Sequence, residues 1–189
     1  MTSKPTVIRL YGTGAKRLYL NQDERLRLQQ IAQYRDEHIR NLCLTLLYTG
    51  CRLSEALNLT SAHLHPTEGL IAIESLKKRG QFHVRQVPVP PSFIRKLLPD
   101  DMKETSPLFP QSRTTAWRQI TTLMKEAEIC GPMATPKGLR HSFGVHCALN
   151  NIAMTLAQKW LGHASLQTTA IYYQIVGKEE LEMAARLWD

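Results

Sequence analysis

Apolar residues recur at helical spacing over most of this chain, and polar residues fill the positions between them. In the segment 20–34, Asn21 occupies an N-cap position and Glu24 follows three residues later, which is the arrangement of a capping box. The next segment is almost continuously apolar and ends at Gly50, a residue suited to the left-handed conformation that closes a helix. A shorter pattern over 52–59 follows directly. The first part of the chain is therefore predicted to form three successive helices.

The pattern changes between residues 62 and 90, where apolar and polar residues alternate and β-branched residues are frequent. Such alternation is typical of strands, with one turn at Pro66 and Gly69 and a second turn at 77–81, KKRGQ. Helical spacing returns after residue 90 and predicts helices over 91–99, 114–129, 138–150, 152–162, 165–174 and 179–188. We therefore expect a mainly α fold with one small antiparallel β-sheet, of the α+β class.

The domain organisation follows from the length and from the irregular start of the chain. Residues 1–18 mix proline, glycine and cations without a period, so we expect a flexible N-terminal arm. A length of 189 residues with 43% hydrophobic content suits one core, and residues 19–189 are expected to form one domain. Without an apolar run of eighteen residues or a signal-like start, we expect a cytoplasmic protein with no membrane contact.

Cysteine usage and charge narrow the possible functions. The four cysteines lack the CxxC spacing of zinc sites, so we expect buried thiols, no metal and no cofactor. Four histidines, His38, His63, His65 and His83, show no spacing typical of a metal site either. A net charge of +8 favours a polyanionic partner such as nucleic acid, although charge alone is weak evidence.

Two short segments place cations where anions bind. Arg52 begins a predicted helix directly after a turn, and Glu55 one turn later can hold its guanidinium in a single orientation. Lys137 and Arg140 lie three residues apart at another helix start, where backbone N–H groups also attract anions. Taken separately, an ordinary surface ion pair and a solvated helix start explain these two features as well as a site does.

Three segments taken together are far more specific: YTGCRLSEALNL at 48–59, KGLRHSFGVH at 137–146 and LGHASLQTTAIYY at 161–173. In this order they resemble the TGxRxSE, HxLRHxFAxH and LGHxxxxxTxxYY motifs of the tyrosine site-specific recombinases, the phage integrase family. The resemblance covers residues 19–189 and five motif positions, so a chance match is improbable. It implies the catalytic-domain fold of that family for residues 19–189.

The resemblance also implies roles for individual residues. Arg52 and Arg140 would clamp a DNA phosphate, and His163 would add a third donor. A tyrosine nine residues after this histidine would be the nucleophile, which selects Tyr172. Its neighbour Tyr173 points about 100° away on a helix and would have a supporting role.

The general acid and the remaining positions are implied less directly. The family places a lysine in the β-hairpin, and the register here favours Lys77, with Lys78 a close second. Most members have histidine where this chain has Lys137. The lysine would keep a group that carries a proton and faces the phosphate. A lysine ammonium is a poor base unless burial or neighbouring cations lower its pKa. Glu55 and His141 would support the arginines.

By resemblance, the protein would cleave and rejoin DNA strands through a covalent 3′-phosphotyrosine intermediate, for integration, excision, inversion or resolution. Its partner would be double-stranded DNA, bound by a tetramer on two sites, with a monomer when free. The final helix, after residue 177, would pack either on its own domain or on a neighbouring protomer. Sequence-independent phosphate contacts are expected from the cations Lys78, Arg79, Arg118 and Lys125.

Two other functions compete with this interpretation. The segment 156–174 also scans as a helix-turn-helix in a non-catalytic DNA-binding module, with Gln167, Thr168 and Thr169 facing base edges. That hypothesis leaves the arginines and the cationic hairpin unexplained. A type IB topoisomerase shares the chemistry and is the alternative enzyme. Most members of the resembled family carry a further N-terminal DNA-binding domain. Of the two possibilities, a fragment and a single-domain recombinase similar to the fimbrial-switch invertases, we expect the single-domain recombinase.

Overall fold

The computed structural model describes residues 9–76, 82–98, 105–175 and 177–188. These residues form a three-stranded antiparallel sheet in the order β1-β2-β3, with β1 at Leu64–His65, β2 at Leu70–Leu76 and β3 at Phe82–Pro88. They also form the α-helices α1 (Gln22–Ala32), α2 (Glu37–Thr49), α3 (Leu53–Leu57), α4 (Pro91–Leu97), α5 (Arg113–Glu126), α6 (Pro136–Leu149), α7 (Met154–Leu161), α8 (Leu166–Ala170) and α9 (Lys178–Ala185). The expected mainly helical fold with one small antiparallel sheet is confirmed.

The predicted start of α1 and the predicted end of α2 are also confirmed. The Asn21 side chain accepts the backbone N–H of Glu24 at 2.9 Å, and the Glu24 carboxylate accepts that of Asn21 at 2.8 Å. Helix α2 ends at Gly50, whose φ is +60°, and a Cβ added there would lie 2.5 Å from the ring of Phe143. Glycine is therefore required at this position by the backbone conformation and by the contact with α6.

Helices α2 and α6 pack against each other at the centre of one hydrophobic core, and α1, α5 and α7 surround them. Eleven of the fourteen residues of α6 are buried, including Arg140 and His141. A helix that is buried nearly all round must find partners for each polar group on it. The core thus dictates that these two side chains have defined neighbours.

Residues 9–18, which we expected to belong to a flexible arm, pack on the domain. Leu10 is buried, and Tyr11 and Arg17 form an antiparallel bridge across a turn of 3-10 helix. The Arg17 guanidinium binds the Glu24 carboxylate at 2.8 Å. The segment has no period because it folds back on itself over a few residues, and a sequence pattern registers only longer regular elements.

Three of the four thiols are buried as expected, at Cys43, Cys51 and Cys147, whereas Cys130 is exposed. The exposed thiol lies in the loop after α5, directly after the buried Ile129. Across the four described ranges, no helix combines the length and the apolar character needed to cross a membrane.

Candidate active site

An open cleft of about 670 Å³ lies beside the N-terminal part of α6. Its walls include five of the residues that the sequence singled out, which come from three separate parts of the chain: Arg52, Lys137, Arg140, His141 and Tyr172. The fold therefore brings most of the predicted site together.

Glu55 holds Arg52 at two points. Its carboxylate lies 2.7 Å from Nη1 of Arg52 and accepts the backbone N–H of the same residue at 2.8 Å. The Arg52 side chain is still half exposed toward solvent. Within the described residues only one of its five N–H groups is hydrogen-bonded through the side chain, so the others remain for an anion.

A second arginine, Arg85 on β3, shares the same carboxylate. Its Nη2 lies 2.6 Å from Glu55, its Nε donates to the carbonyl of Trp160 at 2.7 Å, and its Nη1 donates to Ser75 at 3.1 Å. The Arg85 side chain is 2% exposed. It thereby ties the sheet, the Arg52–Glu55 pair and the end of α7 into one network.

Arg85 was not predicted as a site residue, although the sequence holds a signal for it. Arg85 has the same phase along this segment as the buried residues Val87 and Val89, while Val84 and Gln86, in the opposite phase, are exposed. A cation in phase with buried valines needs a buried partner of opposite charge. That partner is Glu55, which lies 30 residues earlier in the sequence, so no local pattern indicates the pair.

The charge state of Glu55 follows from these neighbours. Burial by itself would raise its pKa, but the hydrogen bond and charge of Arg85, together with those of Arg52, lower the pKa below its ordinary value. The carboxylate is therefore ionised at neutral pH and can hold both arginines.

Arg140 is buried at the base of the cleft and spans two loops. Its Nη1 donates to the carbonyl of Gly50 at 2.9 Å and its Nη2 to the carbonyl of Leu161 at 2.6 Å. Burial and the charge of Arg52 lower its pKa to about 10, so it remains charged at neutral pH. Two of its five N–H groups serve these carbonyls, and the others are available to a ligand.

Tyr172 is fully buried against α6. The predicted helix over 165–174 divides into α8 and one turn of 3-10 helix at Ile171–Tyr173, and this tighter turn carries Tyr172. Its ring approaches α6 so closely that a Cβ on Gly144 would lie 2.5 Å from it. The phenol oxygen lies 3.1 Å from Nδ1 of His141, within hydrogen-bond distance.

His163 follows Gly162, which has a φ of +68° and closes α7. Its Nδ1 lies 2.9 Å from the hydroxyl of the buried Thr169, and its ring stacks on Tyr172 with 6.0 Å between centroids. Its Nε2 is buried and has no hydrogen-bond partner among the described residues. With its hydrogen on Nε2, the ring would accept the Thr169 hydroxyl at Nδ1 and could donate from Nε2 to a bound anion.

Burial keeps the tyrosine and both histidines neutral, and nearby cations add to this effect for the histidines only. Burial raises the pKa of Tyr172 to about 12, although Arg140 and Arg52 act in the opposite direction. Burial, followed by the charge of Arg140, lowers the pKa of His163 to about 3. Burial, followed by the charges of Lys137 and Arg140, lowers the pKa of His141 to about 4.

Tyr173 faces away from this cluster. Its hydroxyl donates to the carbonyl of Ile152, and its ring packs at the edge of the core. The two neighbouring tyrosines thus occupy different environments, and of the two only Tyr172 lines the cleft.

A comparison with known families matches residues 18–179 to the model described as the phage integrase family. The chain belongs to this family. It is 32% identical over 158 residues to tyrosine recombinase XerA of Pyrococcus furiosus, an alignment that covers 77% of this chain and 53% of the relative. It is 33% identical over 147 residues to tyrosine recombinase XerD of Halalkalibacterium halodurans, covering 70% and 48%.

Solved structures of phage integrase family members share the fold. The crystal structure of XerA recombinase superposes with a TM-score of 0.75 at 28% identity, over 90% of this chain and 65% of that one. The catalytic domain of bacteriophage HP1 integrase superposes with a TM-score of 0.65 at 24% identity, over 89% of this chain and 93% of that one. XerH recombinase bound to its difH substrate superposes with a TM-score of 0.66 at 21% identity, over 95% of this chain and 60% of that one. The chain spans about half the length of the curated relatives that it matches.

The cationic residues of this phage integrase family member are distributed unevenly. Arg113 and Trp117 of α5 line the cleft and were not predicted, whereas Arg118 lines another groove beside Glu126. Residues four apart share a helix face, and the next residue lies about 100° around the axis. Lys125 is exposed on the same helix. Three further predicted residues lie outside the described residues: Lys77, Lys78 and Arg79.

The buried network predicts a large effect of Arg85→Met on stability. The substitution leaves the charge of Glu55 buried with Arg52 alone, so the free energy of unfolding is expected to fall by about 3 kcal/mol. Replacing Glu55 by methionine in the same chain removes this incompletely compensated buried charge and is expected to recover about half of the loss or more. Urea unfolding measured by circular dichroism gives the three values.

Arg118→Met is the matched control, because this exposed arginine is expected to change stability by less than about 0.5 kcal/mol. If Arg85→Met changed stability no more than Arg118→Met did, the network would not have the importance that its contacts indicate.

Proposed function

We propose that this chain is a site-specific DNA recombinase that cleaves and rejoins strands through a covalent 3′-phosphotyrosine intermediate. The observation that carries the proposal is the convergence of Arg52, Arg140 and the buried Tyr172 on one cleft, with His163 stacked on the ring of Tyr172. Its relatives named above are tyrosine recombinases, and XerH was solved bound to its DNA substrate. We also propose that residues 19–189 form the catalytic domain.

The electrostatics of the cleft favour a phosphodiester. Arg52, Arg85 and Arg140 surround the single carboxylate of Glu55, which leaves a net positive charge. An anion placed between Arg52 and Arg140 would offset their mutual repulsion and use their remaining N–H groups. His163 would donate from Nε2 to the same phosphate. These donors stabilise the additional charge that develops when the phosphorus is attacked.

Tyr172 is the proposed nucleophile. Attack by its phenol oxygen on phosphorus forms an ester to the 3′ side and releases the 5′ oxygen. Lys77 is the proposed general acid that protonates this oxygen, with Lys78 as the alternative. The ester conserves the bond energy, so a 5′ hydroxyl from another strand can reverse the reaction without ATP. Strand exchange is the outcome.

Residues at the rim of the cleft would hold the DNA. Lys137 is exposed at the start of α6, and Arg113 and Trp117 line the same opening. We propose that these three residues contact the backbone around the scissile phosphate. The phosphate contacts expected of Lys78, Arg79, Arg118 and Lys125 would lie farther out and make binding sensitive to salt.

The helix-turn-helix alternative fits the geometry less well. In that hypothesis Thr169 faces base edges, but the structure buries Thr169 fully and places its hydroxyl against His163. A buried threonine cannot contact DNA. The type IB topoisomerase alternative receives no support from the relatives, which are recombinases and an integrase.

The last helix supports an assembly on DNA. Leu181, Leu187 and Trp188 are 71%, 75% and 80% exposed at the end of the chain. Adjacent apolar side chains that remain exposed mark a contact surface for another chain. We propose that they pack on a neighbouring protomer in a tetramer formed on two DNA sites, while the free protein is monomeric.

The covalent step predicts an adduct that depends on one tyrosine. The substrate is a labelled pool of duplexes with randomised sequence, and each duplex carries a nick at a varied position. Cleavage near the nick releases a short fragment, and its loss prevents rejoining. The wild-type protein and Tyr173→Phe are expected to form a denaturant-resistant protein–DNA adduct, and Tyr172→Phe is expected to form none. Gel electrophoresis and sequencing of the trapped DNA give the result and a usable substrate. An adduct retained in Tyr172→Phe would refute the assignment.

The general acid predicts a substrate-dependent defect. A substrate with sulfur in place of the leaving 5′ oxygen needs no proton, because a thiol has a pKa of about 8.5. Lys77→Ala is expected to slow cleavage of the oxygen substrate by about 100-fold and to cleave the sulfur substrate at the wild-type rate. Lys78→Ala is the control, and rescue of Lys78→Ala instead would assign the role to Lys78. Failure of sulfur to rescue either variant would contradict a hairpin lysine acid.

The exposed end of the chain predicts a defect in assembly alone. Replacing Leu187 and Trp188 by serine is expected to leave single-site DNA binding intact and to prevent a four-protomer complex on a two-site duplex. Sedimentation velocity on the duplex recovered above separates the species. Leu26→Ser is the control, since Leu26 is also exposed but lies on α1. Normal tetramers from the double variant would show that this surface has another role.

A further inference from the structure

The proposed reaction requires a group that takes the proton of Tyr172. In the resembled family motif a histidine precedes the second arginine by three residues, and this chain has Lys137 there. A lysine ammonium has three donors and no acceptor, so it cannot accept a hydrogen bond from a phenol. Among the described residues, the phenol oxygen has one hydrogen-bond partner, Nδ1 of His141 at 3.1 Å.

We propose that His141 accepts the proton of Tyr172 during strand cleavage and returns it during rejoining. This inference rests on the proposed function, because it presumes that Tyr172 is the nucleophile. It assigns to His141 a catalytic role in place of the supporting role expected from the motif.

Helix α6 is shaped for this contact. His141 and Gly144 lie three residues apart on the helix and therefore share a face. Where the family motif has alanine, this chain has Gly144, and a Cβ there would lie 2.5 Å from the ring of Tyr172. The missing methyl group lets the ring lie directly on the helix, within reach of the imidazole one turn away. Both rings are buried, with His141 3% and Tyr172 0% exposed, although they border the cleft.

The protonation state of His141 suits an acceptor. Burial and the charges of Lys137 and Arg140, which face it from the same helix, lower its pKa to about 4 and keep the ring neutral. Nε2 of His141 is buried and has no hydrogen-bond partner among the described residues. A neutral ring that carries its hydrogen on this atom has a free lone pair on Nδ1. A bound phosphate then adds a negative charge nearby, which favours the protonated ring as the reaction proceeds.

The step balances within these groups. The resting phenol keeps its proton because the pKa of Tyr172, about 12, exceeds that of His141. As the bond between its oxygen and phosphorus forms, the phenol becomes acidic and the proton passes to Nδ1 of His141. The bond from phosphorus to the 5′ oxygen breaks, and that oxygen takes a proton from the proposed hairpin lysine. Rejoining runs the same transfers in reverse.

The other histidine of the cluster is already engaged. Nδ1 of His163 lies against the hydroxyl of Thr169, and its ring stacks on Tyr172 face to face. The face of a ring offers no lone pair to a phenol hydrogen. His163 is therefore suited to the phosphate and His141 to the nucleophile.

His141→Asn separates proton transfer from positioning. The asparagine amide oxygen can accept a hydrogen bond near the position of Nδ1, but it cannot hold the proton. We expect adduct formation on the nicked duplex recovered from the pool to slow by at least about 100-fold, with DNA binding unchanged in a gel-shift assay. His146→Asn, on the same helix but hydrogen-bonded to Asn150, is expected to stay within about threefold of wild type.

A cleavage rate of His141→Asn close to that of His146→Asn would overturn the proposal, because an orienting hydrogen bond would then suffice. In His141→Ala, added imidazole is expected to restore part of the rate, and no rescue at saturating imidazole would count against proton transfer. Thermal melting of each variant checks that the fold persists.

A second measurement needs no DNA. Nitrogen-15 NMR of the free protein reports which ring nitrogen of His141 carries the hydrogen, and we expect Nε2, with a shifted Nδ1 resonance in Tyr172→Phe. A hydrogen on Nδ1 would overturn the proposal even if the enzyme is active. A wild-type protein without any adduct would instead overturn the proposed function, so the two failures are distinguishable.

Discussion

The carboxylate of Glu55 is the interaction on which the rest of the site depends. It is one buried negative charge shared by Arg52, which faces the cleft, and Arg85, which is sealed in the sheet. Taking an arginine out of water is costly unless a carboxylate compensates it, so Glu55 permits a cation in the core beside the sheet. With Arg140 nearby, the cluster still has more positive than negative charge. A site built in this way is complete only when an anion enters it.

The same network joins elements that are far apart in sequence. Arg85 contacts the end of α7, and a Cβ on Gly162 would lie 3.1 Å from its guanidinium, so the turn that carries His163 rests directly on it. Arg140 donates to carbonyls at the ends of α2 and α7. Arg140 thus fixes two chain segments with two of its N–H groups and retains others for a ligand, whereas the buried Arg85 uses its guanidinium to hold the network together. In the proposed reaction, this arrangement would hold the donors in place before the substrate binds, as electrostatic catalysis requires.

Sequence reasoning succeeded where the signal is local. The capping box at Asn21, the glycine that ends α2 and the alternation of the sheet each depend on neighbouring residues, and each was confirmed. The count from His163 selected the tyrosine that the fold buries in the cleft. Sequence reasoning did not identify residues whose place in the site arises from distant contacts: Arg85 appears in the sequence as a single cation in a strand, and nothing local indicated that Arg113 lies on the face of α5 that borders the cleft.

By itself, the sequence determined the fold class, the family and the order of the motif residues, because periodicity and short motifs are properties of neighbouring positions. Only the tertiary structure decided which atoms meet. It placed Tyr172 against Gly144 with its phenol oxygen beside His141, and it gave Glu55 a second arginine. These contacts join helices and strands that are distant along the chain, and their distances are set by how the whole core packs. The chemistry of the site resides in those distances.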